Sequence, residues 1–118
     1  MKVKIRNKKN KVKIESSDLW DLDVTLAKII VPALIELKKA KVGIPPVNKK
    51  DVPKNLRETF DEDGFSAKAW QYVLKEMIFA FKWGADYDNY KSENYEENWK
   101  RADKGRKLFA KYYHSLWV

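Results

Sequence analysis

Asp23, Glu36, Glu76 and Arg106 are charged residues set within helix-like apolar segments, and with them this chain would do acid–base chemistry. Asp23 and Glu76, brought face to face, would hold a metal or pass a proton between paired carboxylates. The ordinary alternative is a buried ion pair with Arg106, whose planar guanidinium matches a carboxylate. Glu76 stands among Trp70, Val73, Leu74 and Met77, so it is expected to be partly buried and in need of a partner.

The remaining reactive inventory is thin. His114, the single histidine, lies between Tyr113 and Ser115 and reads as structural. The chain has no Cys, which excludes disulfides, thiolate chemistry and zinc sites built from Cys and His. No Gly-rich phosphate loop, dinucleotide fingerprint or H-E-x-x-H motif occurs. Two acidic clusters, at 61–64 and 86–89, lack the twelve-residue calcium loop with its terminal Glu and read as turns and helix caps. No catalytic residue, metal or cofactor is expected, and the chain does not read as an enzyme.

Charge is the more informative chemistry. Lys2, Lys4, Arg6, Lys8, Lys9, Lys11 and Lys13 all fall within the first fourteen residues, which contain no acid. The whole chain carries 25 basic and 17 acidic residues, so residues 15–118 are nearly neutral. Positive charge concentrated in this way makes a local field that a polyanion feels. The expected partners are nucleic acid or an acidic protein, with a nucleotide ligand as a further option. Tyr87 and Tyr90, beside Tyr95 and Trp99, are candidates for stacking on bases. The plain alternative is that the lysines only guard an edge strand against aggregation.

The elements that would carry these groups follow from periodicity. Residues 2–6 and 11–15 alternate polar and apolar, the pattern of half-buried strands. Joined by a four-residue link they form a hairpin with Val3 facing Ile14 and Ile5 facing Val12. That register sets Lys4 opposite Lys13 and Arg6 opposite Lys11, and like charges so opposed are destabilising. The Val/Ile face is expected to lie on the helices. Residues 18–41 hold a first helix, apolar nearly all round and therefore expected at the centre, with Pro32 inside it. Residues 43–65 form a long connection packed by Val52, Leu56 and Phe60, with one helical turn after Pro53. A second helix over 66–83 is capped by Ser66, and a third spans 92–116. In the third, Tyr95, Trp99, Ala102, Phe109, Tyr113 and Leu116 share a face, and Gly105 would admit a close helix neighbour. The fold class is α+β, mostly helical: an N-terminal β-hairpin (1–16) packed on an antiparallel three-helix body (17–118), one domain by length. The longest apolar run, 29–35, is far short of a membrane span.

One ordered series of motifs is specific. It begins Trp20-x-x-Asp23-x-Thr25-Leu26-Ala27-x-Ile29-Ile30-Val31-Pro32 and continues through Trp70, Leu74 and Glu76-Met77-Ile78. It ends Gly105-Arg106, Leu108-Phe109, Lys111-Tyr112-Tyr113 and Leu116-Trp117. Over about residues 12–118 this chain resembles a family of small tailed-bacteriophage proteins. The resemblance implies expression in the cytoplasm of an infected bacterial host and carries no catalytic residue across. Two functions are therefore expected: a phage accessory protein contacting nucleic acid through the hairpin, or a host-takeover or anti-defence protein that binds a bacterial protein or captures a nucleotide signal.

Overall fold

The computed structural model describes residues 1–6, 9–40, 43–85 and 93–117, with residues 4–6 and 9–11 described by backbone alone. Strands β1 (Lys2–Arg6) and β2 (Lys9–Lys13) pair antiparallel. Four helices follow among the described residues: α1 (Leu22–Lys39), α2 (Lys54–Arg57), α3 (Ala67–Gly84) and α4 (Tyr95–Lys111). Single 3₁₀ turns lie at Ser16–Leu19, Lys49–Asp51 and Tyr113–Ser115.

The hairpin register differs from expectation by two residues. Val3 pairs with Val12 and Ile5 with Asn10, so β2 starts at Lys9 and two residues separate the strands. Two-residue connections are the commonest hairpin links, and Asn is favoured in them. A shift of two keeps each position on its original face but moves Ile14 off the ladder. Ile14 is 49% exposed and Val12 56% exposed, so the apolar face of β2 is not seated on the helices as expected, while Val3 is half-buried. The base of the hairpin is held instead by polar contacts. Glu15 N–H donates to Asp18 Oδ2 at 2.9 Å, and the Met1 amine lies 3.1 Å from the same oxygen.

The first helix begins later than its apolar pattern suggests. The Ser16–Leu19 turn comes first, Asp21 is non-helical, and Thr25 Oγ1 donates to the Asp18 carbonyl at 2.8 Å. That hydroxyl satisfies a carbonyl an uninterrupted helix would have used, so the chain turns before α1 starts. Ser66 caps α3 as expected, accepting from Ala69 N–H at 3.1 Å.

The central helix is α3, not α1. It buries Trp70, Val73, Leu74, Glu76, Met77, Ala80 and Trp83, whereas α1 buries only Thr25, Ala27 and Leu34. Contacts along α3 and α4 run in opposite order: Trp83 stacks near Tyr95, Glu76 meets Arg101, and Trp70 meets Tyr112. Gln71 near the start of α3 donates to the Lys38 carbonyl at the end of α1, which fits the same alternation. The three long helices thus form a slab with α3 between its neighbours, and the molecule measures 50 × 45 × 20 Å.

Gly105 sets the α3–α4 spacing. A Cβ there would strike the Glu76 carbonyl oxygen and come within 2.6 Å of Ala80 Cβ. The close approach fixes the rotation of α4, burying Ala102, Gly105, Leu108 and Tyr112. Trp99 and Tyr113, expected on the buried face, are exposed for that reason. The 43–65 connection packs through Val47, Val52, Leu56 and Phe60, and Pro53 precedes the short α2.

Candidate functional site

The β1–β2 ladder brings basic residues together in three directly opposed pairs: Lys2 with Lys13, Lys4 with Lys11, and Arg6 with Lys9. This is one more like-charge pair than the expected register contained, because the shift brings Lys9 into the strand. Lys2 and Lys13 are exposed, and neither meets an acid among the described residues. Lys8 lies outside the described residues, as do Tyr87 and Tyr90. Asp18, at the foot of the ribbon, is held below its ordinary carboxylate value, chiefly by the Glu15 backbone N–H and then by the Met1 amine.

Asp23, Glu76 and Arg106 are not brought together. Glu76 is buried and takes Arg101 as its partner, with Arg101 Nε donating to Oε2 at 2.8 Å. The Arg101 guanidinium also lies 3.8 Å over the Phe79 ring, so the pair is flanked on one side by an aromatic face while Arg101 stays partly open to solvent. Arg106, one turn further along α4, lies beside Asp103 at 3.8 Å and 6.0 Å from the Trp99 ring. Asp23 is exposed in the first turn of α1, where a carboxylate suits the helix dipole. The expectation that Glu76 needs a partner holds; the partner is Arg101 because close packing at Gly105 turns that face of α4 toward Glu76.

A second polar cluster was not legible in the sequence. The Tyr112 hydroxyl donates to Asp51 Oδ2 and accepts from Asn48 N–H at 2.9 Å, while Lys111 Nζ lies 2.6 Å from Asp51 Oδ2. Burial, followed by the bond to Asp51, pushes the Tyr112 pKa up to about 12. For Asp51, burial opposes the charged form, but the Lys111 and Tyr112 hydrogen bonds outweigh it and leave the carboxyl below its ordinary value. A phenol so retarded is a poor base at neutral pH, and the cluster acts as a clasp between the 43–65 connection and the end of α4. These partners lie about sixty residues apart, and no local spacing announces them.

The apolar surface is uneven. Leu22 and Leu26 of α1 are 44% and 46% exposed, and Trp20 just before them is 81% exposed. Beyond them a groove of 460 Å³ runs between α1 and the C-terminal segment, lined by Ile29, Ile30, Ala33, Leu37, Leu116 and Trp117 among others. A wider depression of 820 Å³ opens between the end of α1 and the start of α3, with Lys38, Lys39, Phe65, Trp70 and Gln71 in its walls.

No protein-family model, curated protein or solved structure matches this chain. Among the described residues no three His, Cys, Asp or Glu side chains converge as metal ligands, and no helix is long and apolar enough to cross a membrane. What the geometry offers is a cationic ribbon and an unpaired apolar helix face.

Proposed function

We propose that this chain is a small phage-encoded, non-enzymatic binding protein that contacts nucleic acid through β1 and β2 in the cytoplasm of an infected host. One observation carries the reading: the strand register opposes six basic residues as three like-charge pairs. Such pairs are destabilising in isolation, and a polyanion laid along the ribbon relieves the repulsion while releasing its own counterions. The dispersal of Asp23, Glu76 and Arg106 supports a binding role over a catalytic one. The phage assignment rests on the ordered motif series from Trp20 to Trp117.

The test is fluorescence anisotropy with a labelled DNA duplex and a labelled single strand at about 50 mM salt, where phosphate contacts are strong. A variant carrying Lys4→Gln, Arg6→Gln, Lys9→Gln and Lys11→Gln is expected to lose at least tenfold in affinity, with its helical circular dichroism unchanged. Full-strength binding by that variant refutes the reading.

A second reading is favoured by the exposed Trp20, Leu22 and Leu26. Exposed apolar surface suits a protein partner, and a host-takeover or anti-defence protein would use it to bind a bacterial protein. The wider depression, with lysines and aromatic walls, supports capture of a nucleotide under the same reading. A host partner retained after nuclease treatment, together with no affinity for DNA, selects this alternative.

A further inference from the structure

We infer that the outer face of α3 is a track for single-stranded nucleic acid, with unpaired bases resting on aromatic rings set between lysines. Of the eighteen residues of α3, four are exposed: Ala67, Lys68, Lys75 and Lys82. The three lysines recur every seven residues, close to two full turns, so they lie along one line of the helix about 10.5 Å apart. Tyr72 and Phe79 fall between them, giving spacings of four, three, four and three from Lys68 to Lys82. Both rings are half-buried, so each is fixed by the core it packs on and still reaches the surface. Packing does not require this alternation, because the core face of α3 is supplied by Trp70, Val73, Leu74, Met77 and Ala80.

The charge on this face is uncompensated. Glu76 is the one acid in α3, and it is buried and paired with Arg101. None of the three lysines meets an acid among the described residues. The Arg101 guanidinium, partly open to solvent and 3.8 Å over the Phe79 ring, adds a flat cation on which a base stacks. Toward α1, a depression of 390 Å³ is lined by Lys38, Lys39, Gln71 and Lys75, with Ile35 and Ile78. No acid is among those lining residues, although Lys39 also pairs with Glu36 at 3.5 Å. Cations along a groove hold the phosphates of a strand while rings take its bases.

The alternation of ring and cation selects the form of the ligand. A duplex keeps its base faces stacked inside and offers this stripe phosphates alone. An acidic protein would use the lysines and leave the rings idle. An unpaired strand uses both. The inference rests on the proposal that this chain binds nucleic acid, and it names the form bound. The ribbon stands near the stripe along the chain's path. Its base is fastened at Asp18, just before α1, and α1 runs antiparallel to α3, which sets that base toward the Lys82 end. The ribbon thus supplies phosphate contacts for either form, and the stripe adds those that only an unpaired strand makes.

Anisotropy titrations of the full chain test this, using a labelled single strand of about 20 nucleotides and the matching duplex at about 50 mM salt. Lys68→Gln, Lys75→Gln and Lys82→Gln combined are expected to lower single-strand affinity about tenfold or more, and duplex affinity by less than about threefold. Tyr72→Ala is expected to lose about fivefold or more on the single strand alone, the lower bound for one stacked base. Tyr72→Phe, which keeps the ring without its hydroxyl, is expected to bind as wild type does. Circular dichroism and melting check that each variant is folded, and the lysine variant alters exposed side chains alone. Equal losses on single strand and duplex mark a surface that reads charge and overturn the inference. So does polyaspartate competing as well as the single strand, with Tyr72→Ala matching wild type, which points to an acidic protein. Unaltered single-strand binding by the lysine variant overturns it as well, and leaves the ribbon reading standing where the duplex still binds. A wild type that binds neither nucleic acid removes both.

Discussion

Gly105 is a residue at which helix propensity and packing pull in opposite directions. Alanine there gains about 1 kcal/mol of intrinsic helix preference. It also drives a methyl into the Glu76 carbonyl and Ala80, and overpacking of this kind costs about 1–3 kcal/mol, so packing wins when backbone cannot yield. Gly105→Ala is therefore expected to lower the melting temperature, and a variant as stable as wild type would show that α4 stands further from α3. Tyr112 makes the second residue-scale prediction. Its hydroxyl serves both Asp51 and Asn48, so Tyr112→Phe is expected to cost about 1–3 kcal/mol in urea denaturation at neutral pH. The sign with pH follows from linkage. A tyrosine raised from 10.0 to about 12 on folding contributes its stability below pH 10, and that contribution is lost as pH rises through 12. The gap between wild type and Tyr112→Phe should accordingly narrow in alkali, and ultraviolet titration should lose one late-titrating tyrosine in the variant. Asp51 works the other way: its lowered pKa gives stability above the ordinary 3.8 that disappears as acid protonates the folded form. Asp51→Asn should be less stable at neutral pH and show a shallower acid limb.

At the scale of elements, the exchange of centre between α1 and α3 has measurable consequences. Met77 is fully buried in α3, and Met77→Ala should cost about 2–5 kcal/mol. Leu22→Ala and Leu26→Ala, on a half-exposed stripe, should each change monomer stability by less than about 1 kcal/mol. Equal losses at the two helices would mean that this stripe of α1 is buried as deeply as the core face of α3. Much of this layer was legible in sequence. The α3 boundaries follow from the Ser66 cap and its apolar stripe, and the turn after Pro53 and the packing of Val52, Leu56 and Phe60 follow from local signals. Sequence does not distinguish α1 from α3 as the centre, because an all-round apolar helix has the same pattern whether it is buried or half exposed. The rotation of α4 is not legible from its aromatic spacing, which points to Trp99 and Tyr113, because a residue without a side chain, Gly105, decides which face meets α3. The hairpin register turned on link length, to which the alternating pattern is blind when the shift is two.

For the whole molecule, charge and apolar surface are partitioned. Residues 1–14 supply seven of the +8 net charges, and residues 15–118 together are nearly neutral; the molecule is 20 Å in its thinnest dimension. The ribbon's cationic character was evident from the first fourteen residues, whereas the pairing that opposes six of those charges emerged only from the backbone register. A ribbon of this kind binds by exchanging counterions for phosphates, so its affinity must be steeply salt-dependent. The measurement that tests this most directly is the slope of log affinity for duplex DNA against log salt, taken from about 50 to 200 mM. Six engaged cations predict a slope of about −5, falling to about −2 when Lys4, Arg6, Lys9 and Lys11 are neutralised and only Lys2 and Lys13 of the six remain. A slope that the neutralised ribbon leaves unchanged, or no binding even at the lowest salt, would contradict the account.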